Sequence, residues 1–138
     1  MSAATSATTV LVFSHRPAVR EAIINAVGQR PAPDVGRLRY VEAATIAEVL
    51  TEVDAGGVGL AILDGEAQPI GGMGLSRQLK NEIARCPPVI ISVRRRDDRW
   101  LAVWSQADAV IVHPLDPLVA AETVAEVLRT HRPQAVNG

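Results

Sequence analysis

Residues 58–63 read Val-Gly-Leu-Ala-Ile-Leu, a short apolar run followed at once by Asp64. Polar and apolar residues do not alternate in it, which is the pattern of a parallel strand buried on both faces. Three further runs share the pattern: Val10–Phe13, Val89–Val93 and Ala109–Val112. A weaker run, Arg37–Val41, alternates charge with bulk and predicts an edge strand with one face in water.

The segments between these runs have the periodicity of helices. Pro17 is suited to a first helical turn, and that helix stops at Gly28. Thr45 and Glu48 form a capping box for a second helix. Apolar residues three and four apart predict the inward faces of five helices. In chain order, these faces are Val19, Ala22, Ile23, Ala26 and Val27 in the first helix; Val49, Leu50 and Val53 in the second; Leu75, Leu79 and Ile83 in the third; Trp100 and Val103 in the fourth; and Leu118, Ala121, Val124, Ala125 and Leu128 in the fifth.

Five alternations of strand and helix predict one α/β domain with a mostly parallel sheet and helices on both of its faces. The length of 138 residues fits a single domain. We place that domain at residues 9–130, between flexible tails at 1–8 and 131–138.

The composition narrows the functional classes. The net charge of −1 lacks the basic excess of nucleic-acid binding proteins. Cys86 is the only cysteine, so neither an internal disulfide nor a zinc site is expected, and a reducing cytoplasmic setting fits. No stretch approaches the ~20 apolar residues of a membrane span, and the first nine residues lack the pattern of a secretory signal. We therefore expect a cytoplasmic protein that neither inserts into a membrane nor binds nucleic acid.

Four segments in order resemble the receiver domain of response regulators. The stretch from Ser14 to Ala22 resembles the segment in which acidic residues and a proline precede the first helix. Leu63-Asp64, with Pro69 and Gly74-Leu75 downstream, is similar to the phospho-acceptor strand and the loop after it. Pro88–Ile91 resembles the fourth strand, and residues 107–117 resemble the fifth strand and the start of the final helix. The resemblance covers about residues 9–130 and implies a flavodoxin-like, three-layer α/β/α fold of strand order 2-1-3-4-5 with five helices.

The departures from the receiver pattern fall on its phosphorylation chemistry. Ser14 and His15 stand where the family has the acid pair that holds magnesium together with the acceptor aspartate. The switch Thr or Ser aligns with Val93, although Ser92 lies one place earlier, and the family's lysine is His113. The aromatic switch position is Val110, and the loop between Asp64 and Pro69 is one residue longer. We therefore expect Asp64 to be a vestigial phospho-acceptor in a protein that is not an enzyme and binds neither a metal nor a cofactor.

Without a magnesium ion, the Asp64 carboxylate requires another charged or polar side chain as its partner. We expect it to pair with His113, His15 or an arginine of the run Arg94–Arg96, with Arg94 as the favoured cation and the histidines as a pH-responsive group. The alternative is that these are polar loop residues at strand ends. The resemblance also implies a cis bond at His113-Pro114.

Two tryptophans on the predicted fourth helix suggest a surface for a partner. Trp100, Leu101, Val103 and Trp104 do not all fit one buried face, so Leu101 and Trp104 are predicted to face solvent. The predicted partner-binding face comprises Trp100, Leu101, Trp104, Arg95, Arg96 and Arg99. The alternatives are that Trp104 covers an edge of the core and that the arginines form a solvated loop.

The functional prediction is a stand-alone pseudo-receiver that binds another protein without phosphorylation. The chain resembles the short orphan response regulators of mycobacteria, one of which is associated with respiratory NADH-quinone oxidoreductase, complex I. That resemblance implies the cytoplasmic peripheral arm of complex I as a candidate partner and a position at the cytoplasmic side of the membrane. A homodimer through the fourth helix, fifth strand and fifth helix is another option. Two other functions stay open: a working receiver phosphorylated on Asp64, and a sensor of a small anion or nucleotide at the carboxyl edge of the sheet that uses Ser14, Asp64, Arg94 and His113.

Overall fold

A computed structural model describes residues 7–66, 72–83, 86–94 and 106–131. Strands and helices alternate along these residues in the order β1 (Thr8–Phe13), α1 (Pro17–Val27), β2 (Leu38–Ala43), α2 (Ile46–Ala55), β3 (Val58–Asp64), α3 (Gly72–Glu82), β4 (Val89–Val93), β5 (Ala109–Val112) and α4 (Pro117–Thr130). All strand pairs are parallel, and the sheet order is β2-β1-β3-β4-β5. The predicted topology is therefore confirmed. Four of the five predicted helices lie in the described residues, and the one around Trp100 lies outside them.

Each face of the sheet carries its own apolar core, as the unalternating runs predict. On one face, Leu11, Phe13, Leu63 and Ile91 pack with residues of α2 and α3. On the other face, alternate residues of the same strands pack with α1 and α4. β2 lies at the edge, and it extends to Ala43 because its last residues pair with the end of β1. The sheet is thus covered on both sides and opens to solvent at its carboxyl edge.

The predicted helix boundaries follow from local chemistry. Thr45 Oγ accepts the Glu48 N–H at 3.1 Å, and the Glu48 carboxylate accepts the N–H groups of Ala44 and Thr45 at 2.7 and 3.1 Å. These backbone donors, that of Ala44 first, lower the pKa of Glu48. At the start of α4 the Asp116 carboxylate accepts the Leu118 N–H at 2.9 Å. Each cap satisfies backbone donors that have no partner inside the helix.

Two predicted inward residues were placed wrongly. Leu118 is 77% exposed, and Ala22 in α1 is exposed as well. Ala120, Val124 and Val127 are buried and fix the inward direction of α4. Leu118 precedes Ala120 by two residues, which turns it about 200° away at 100° per residue and points it to solvent.

None of the helices in the described segments has the length and hydropathy that crossing a membrane requires.

Candidate functional site

Four strand ends bring their polar residues to the carboxyl edge of the sheet. Val12, Ile62, Ile90 and Ile111 face the layer formed by α1 and α4. Side chains two residues apart along a strand share a face, so Ser14, Asp64, Ser92 and His113 continue those rows at the edge. Val93 belongs to the opposite core, and so does partly buried Val110. Ser14, Asp64 and Ser92 are all buried.

Both oxygens of the Asp64 carboxylate are held from within the protein. The Ser14 hydroxyl donates to Oδ2 at 2.8 Å, and the backbone N–H of Glu66 donates to Oδ1 at 2.9 Å. Ser14 Oγ in turn accepts the Arg16 N–H at 3.1 Å, which fixes the direction of the hydroxyl. Asp64 is only 3% exposed. A buried carboxylate is thereby satisfied by neutral donors.

The expected ion pair between Arg94 and Asp64 is absent from the described residues. Arg94 is exposed, so its guanidinium keeps its hydration, and the short hydroxyl of Ser14 reaches the buried carboxylate instead. His113 does not form an ion pair with Asp64 either, although the Asp64 charge acts on its ring. The prediction for Arg94 was therefore wrong, and the hydrogen bond from Ser14 was missed.

Arg20, which the sequence did not single out, holds the end of β1 in place. Its Nη1 donates to the Ser14 carbonyl at 2.6 Å, and its Nε donates to Glu42 Oε1 on β2 at 2.8 Å. The side chain is mostly buried, with 14% exposed. The guanidinium therefore joins α1 to the ends of β1 and β2 beside Ser14. No spacing in the sequence distinguishes this arginine from its neighbours.

Gly65 permits the close approach of β3 and β4 at the site. Its N–H donates to the Ser92 carbonyl at 2.8 Å. A Cβ at this position would lie 2.7 Å from that oxygen and 3.1 Å from Ile91 Cγ2. Glycine is thus required by space. The only signal in the sequence is its place directly after the aspartate at a strand end.

His113 and Arg94 border an open cleft next to Asp64. The cleft has a volume of about 310 Å³ and is lined by Val19, Asp64, Arg94, His113 and Pro114. Burial lowers the pKa of His113, and the nearby Asp64 charge opposes that shift only in part. The histidine is therefore neutral near pH 7, unlike the lysine at this position of the family pattern. The His113-Pro114 bond is cis, as expected from the resemblance.

The residues present do not fit the magnesium ion of the receiver pattern. Magnesium requires several hard oxygen ligands in near-octahedral geometry. Here Asp64 is the only carboxylate of the three, and its oxygens already accept two N–H or O–H donors. The described segments contain no group of three His, Cys, Asp or Glu side chains that could hold a metal ion. The residues at these positions therefore do not supply the set of oxygen ligands that the receiver pattern has there.

Ser92 lies beside Asp64 in the strand register and differs from the other polar groups of the edge. Its Oγ is buried and has no hydrogen-bond partner within the described residues. Ser92 shares the face of Asp64 and His113, whereas Val93 belongs to the opposite core, so at the end of β4 the residue on the site face is the serine and not the valine that the sequence alignment favoured.

The predicted partner face at Arg95, Arg96, Arg99, Trp100, Leu101 and Trp104 lies outside the described residues, as does Pro69. That face stays a prediction.

Comparison with known proteins gives close sequence relatives as well as structural ones. No protein-family model matches the sequence. The chain is similar to two uncharacterized response regulatory proteins of Mycobacterium tuberculosis, from strains CDC 1551 / Oshkosh and ATCC 25618 / H37Rv. Each is 48% identical over 129 residues, which is 94% of this chain and 97% of the relative.

Solved structures are similar at lower identity. The chemotaxis response regulator CheY4 of Vibrio cholerae has a TM-score of 0.72 at 16% identity and covers 89% of this chain and 100% of its own. A CheY-like receiver domain protein of Methanospirillum hungatei JF-1 has a TM-score of 0.71 at 18% identity, with 91% and 96% covered. Response regulator TrrA of Thermotoga maritima, solved in complex with Mg²⁺ and BeF, has a TM-score of 0.70 at 22% identity, with 88% and 99% covered. At these identities the likeness shows the fold alone.

Proposed function

This chain belongs to the response-regulator family and has its CheY-like receiver fold, and from that premise we propose that it acts without phosphorylation, as a protein-docking module. The observation that carries the proposal is the burial of Asp64, whose carboxylate is held by neutral donors. A phospho-acceptor must present an accessible carboxylate oxygen to the incoming phosphorus, and Asp64 is only 3% exposed. Here one oxygen accepts the Ser14 hydroxyl and the other accepts the Glu66 N–H.

The electrostatics of the edge support the same function. Phosphoryl transfer in this family's pattern relies on a metal ion and a lysine to neutralise the phosphoryl charge, as electrostatic stabilisation of a transferring group requires. At the corresponding places this chain has Ser14, His15 and His113. The lowered pKa of His113 keeps its ring neutral, so no positive charge replaces the lysine there. Arg94 is the one cation that lines the cleft among the described residues.

The acid pair provides a direct test of this part of the proposal. We expect the wild-type protein to show no saturable heat of Mg²⁺ binding at millimolar concentration in isothermal titration calorimetry. Replacing both positions with acids, Ser14→Asp with His15→Asp, restores the family's carboxylates and should produce saturable Mg²⁺ binding. Asp64→Asn in that background should remove it again. Saturable binding of Mg²⁺ by the wild type would refute the proposed loss of metal chemistry.

Docking on another protein is the positive part of the proposal. Its support is the predicted exposure of Leu101 and Trp104 and the basic run that precedes them. We propose the cytoplasmic peripheral arm of respiratory complex I as the first partner to test, on the resemblance to mycobacterial orphan response regulators. With this partner, the protein would lie at the cytoplasmic side of the membrane.

A binding measurement with purified complex I tests the partner and the face separately. We expect the wild-type chain to bind the isolated complex in surface plasmon resonance, and Trp104→Ala to weaken binding about tenfold or more, as loss of an interface anchor does. Leu118→Ala, which truncates an exposed apolar residue on α4, is the matched control and should bind like the wild type. Equal binding of Trp104→Ala would exclude the proposed face, and no binding of the wild type would exclude this partner.

The cleft beside Asp64 supports a second candidate function, the sensing of a small anion. Three of the four residues predicted for an anion site, Asp64, Arg94 and His113, line it. Ser14 is instead buried beneath, on Asp64. A thermal-shift series with phosphate, sulfate and nucleotides tests this candidate, with Arg94→Gln as the variant that should lose any response. A melting temperature that no anion raises would eliminate it.

A further inference from the structure

A second cluster of charged groups lies at the opposite, amino edge of the sheet and is centred on Asp108, the residue directly before β5. Asp108 Oδ2 accepts Lys80 Nζ of α3 at 2.7 Å and the Val89 N–H at the start of β4 at 2.7 Å. Lys80 is the only lysine in the chain. One carboxylate oxygen thus ties together α3, β4 and β5.

The other oxygen of Asp108 faces the residue that ends α4. His131 Nε2 lies 3.2 Å from Asp108 Oδ1, and His131 Nδ1 lies 3.0 Å from the Val127 carbonyl oxygen. A carbonyl oxygen can only accept, so Nδ1 carries a proton. The neutral ring then presents the lone pair of Nε2 to a carboxylate, which is unfavourable. A second proton on Nε2 turns the same contact into an ion pair.

From this geometry we propose that His131 is a proton-dependent latch. Its doubly protonated ring fastens the last turn of α4 to Asp108, and loss of the Nε2 proton releases that turn. A cationic histidine at a helix C-terminus is also favoured by the helix dipole. The latch is independent of the proposed docking function and lies at the edge of the sheet remote from Asp64.

Of the charged groups around Asp108, His131 is the one expected to change its charge near neutral pH. Lys80 and Asp108 form an ion pair at 2.7 Å. On α4, Arg129 pairs with Asp34 at 2.7 Å and with Glu126 at 3.5 Å. Lysine, arginine and the carboxylic acids ordinarily do not change their charge between about pH 5 and 8. Burial raises the pKa of the Cys86 thiol, which is therefore neutral beside Lys80 and Asp108. Histidine is the residue type of this cluster whose charge ordinarily changes between about pH 5 and 8.

Opening of the latch would change the shape of an exposed cleft as well as the last turn of α4. A cleft of about 340 Å³ between α4 and the start of β5 is lined by Asp108, Ala109, Glu122, Thr123, Glu126, Val127, Thr130 and His131. Release of the last turn of α4 moves one wall of this cleft. The protonation state of His131 thereby sets the shape of an exposed face.

Amide hydrogen exchange resolved by residue tests the latch in the intact chain. The amides of Val127–Thr130 are measured at pH 5.5 and 8.0, and each rate is corrected for the intrinsic pH dependence of exchange. We expect protection about threefold greater at pH 5.5, the effect of a histidine cation at a helix end. His131→Gln should abolish that difference, and β3 amides measured at the same two pH values give the change in global stability that is subtracted from the last-turn protection.

The control separates this histidine from the one at the opposite edge. His113→Gln removes a partly buried titrating group but leaves the latch intact, so its last-turn amides should keep the threefold difference. Equal corrected protection at the two pH values in the wild type would overturn the proposal. A pH dependence that persists in His131→Gln would overturn it as well.

Discussion

The Ser14 hydroxyl stabilises the Asp64 carboxylate by a hydrogen bond at the carboxyl edge of the sheet. A carboxylate at this position would face Asp64 with like charge, which raises the free energy of the ionised pair unless a cation lies between them. A hydroxyl donates its proton to Asp64 Oδ2 and needs no cation. The Glu66 N–H satisfies the other oxygen. A hydroxyl at position 14 thus satisfies the buried Asp64 carboxylate without a cation.

The Ser14–Asp64 hydrogen bond should therefore contribute measurably to stability. Ser14→Ala leaves a buried carboxylate oxygen without its donor, and we expect a loss of about 1–3 kcal/mol in the free energy of unfolding by urea. The matched control is Thr123→Ala, which removes an exposed hydroxyl bonded to the Val119 carbonyl and should cost less than about 0.5 kcal/mol. Equal effects of the two variants would contradict the role assigned to Ser14.

His113 makes stability depend on pH in a defined direction. Its folded-state pKa lies below that of the unfolded chain because burial disfavours the cation. Above pH 6.5 both states are neutral and the residue contributes no pH dependence. As the pH falls below 6.5, the unfolded chain takes up the proton first, so the folded state loses stability.

The variant His113→Gln isolates this effect. We expect the stability of the wild type relative to the variant to fall between pH 7.5 and 5.5 in urea unfolding, while the other histidines cancel in the difference. A constant or rising difference over that interval would show that burial does not disfavour the His113 cation.

The residues of the edge could be predicted from the sequence, but their partners could not. Each polar residue directly follows an apolar run, which places it at the carboxyl edge of a parallel sheet. Which of them bond depends on side-chain reach and burial across 50 residues of sequence, as between Ser14 and Asp64. The contacts of Asp108 could not be predicted, because an aspartate directly before a strand is also common as an ordinary loop residue.

At the scale of elements, the junction of β3 and β4 is the tightest point of the site. The β3 end can approach β4 only because residue 65 has no Cβ. The elements themselves were predictable, since short apolar runs rich in β-branched residues favour buried strands and a capping box favours the start of a helix. The direction of α4 was not fully predictable, because its first turn contains apolar residues on both sides, Leu118 outward and Ala120 inward.

Gly65→Ala should test that junction. The new methyl group would meet backbone oxygen, which cannot rotate away, and we expect a loss of about 1–3 kcal/mol in unfolding free energy, typical of overpacking. Gly59→Ala is the comparison, because its methyl group would meet Thr8 Cγ2, the end of a side chain near the start of β1 that can rotate. A smaller cost at 65 than at 59 would contradict the assigned contact.

The exposure of Leu118 gives a prediction for α4. Leu118→Ala should change the free energy of unfolding by less than about 0.5 kcal/mol, as surface substitutions usually do. Val124→Ala empties buried space against the sheet and should cost about 2 kcal/mol. Thermal unfolding of the two variants is the measurement. A larger loss of stability for Leu118→Ala than for Val124→Ala would show that Leu118 is buried and not exposed.

At the scale of the whole molecule, the residues that build the fold are separate from those at the altered receiver positions. The two cores are built from the strand interiors and from α1 to α4, and the altered positions Ser14, His15 and His113 lie beyond them at one edge. Exchange of these residues therefore leaves the architecture intact. A receiver can lose its switching residues and still present its surfaces to another protein, which is the basis of the docking proposal.

The most direct test of phosphorylation-independence is a beryllofluoride titration of the wild-type protein with millimolar Mg²⁺, followed through the amide resonances of Asp64, Gly65 and Ser92. Beryllofluoride imitates a phosphoryl group bound to an acceptor aspartate. Because Asp64 is buried and neither the acid pair nor the lysine of the receiver pattern stands beside it, we predict no saturable chemical-shift change at these three amides. A saturable change that disappears in Asp64→Asn would contradict the account and establish a working phospho-acceptor.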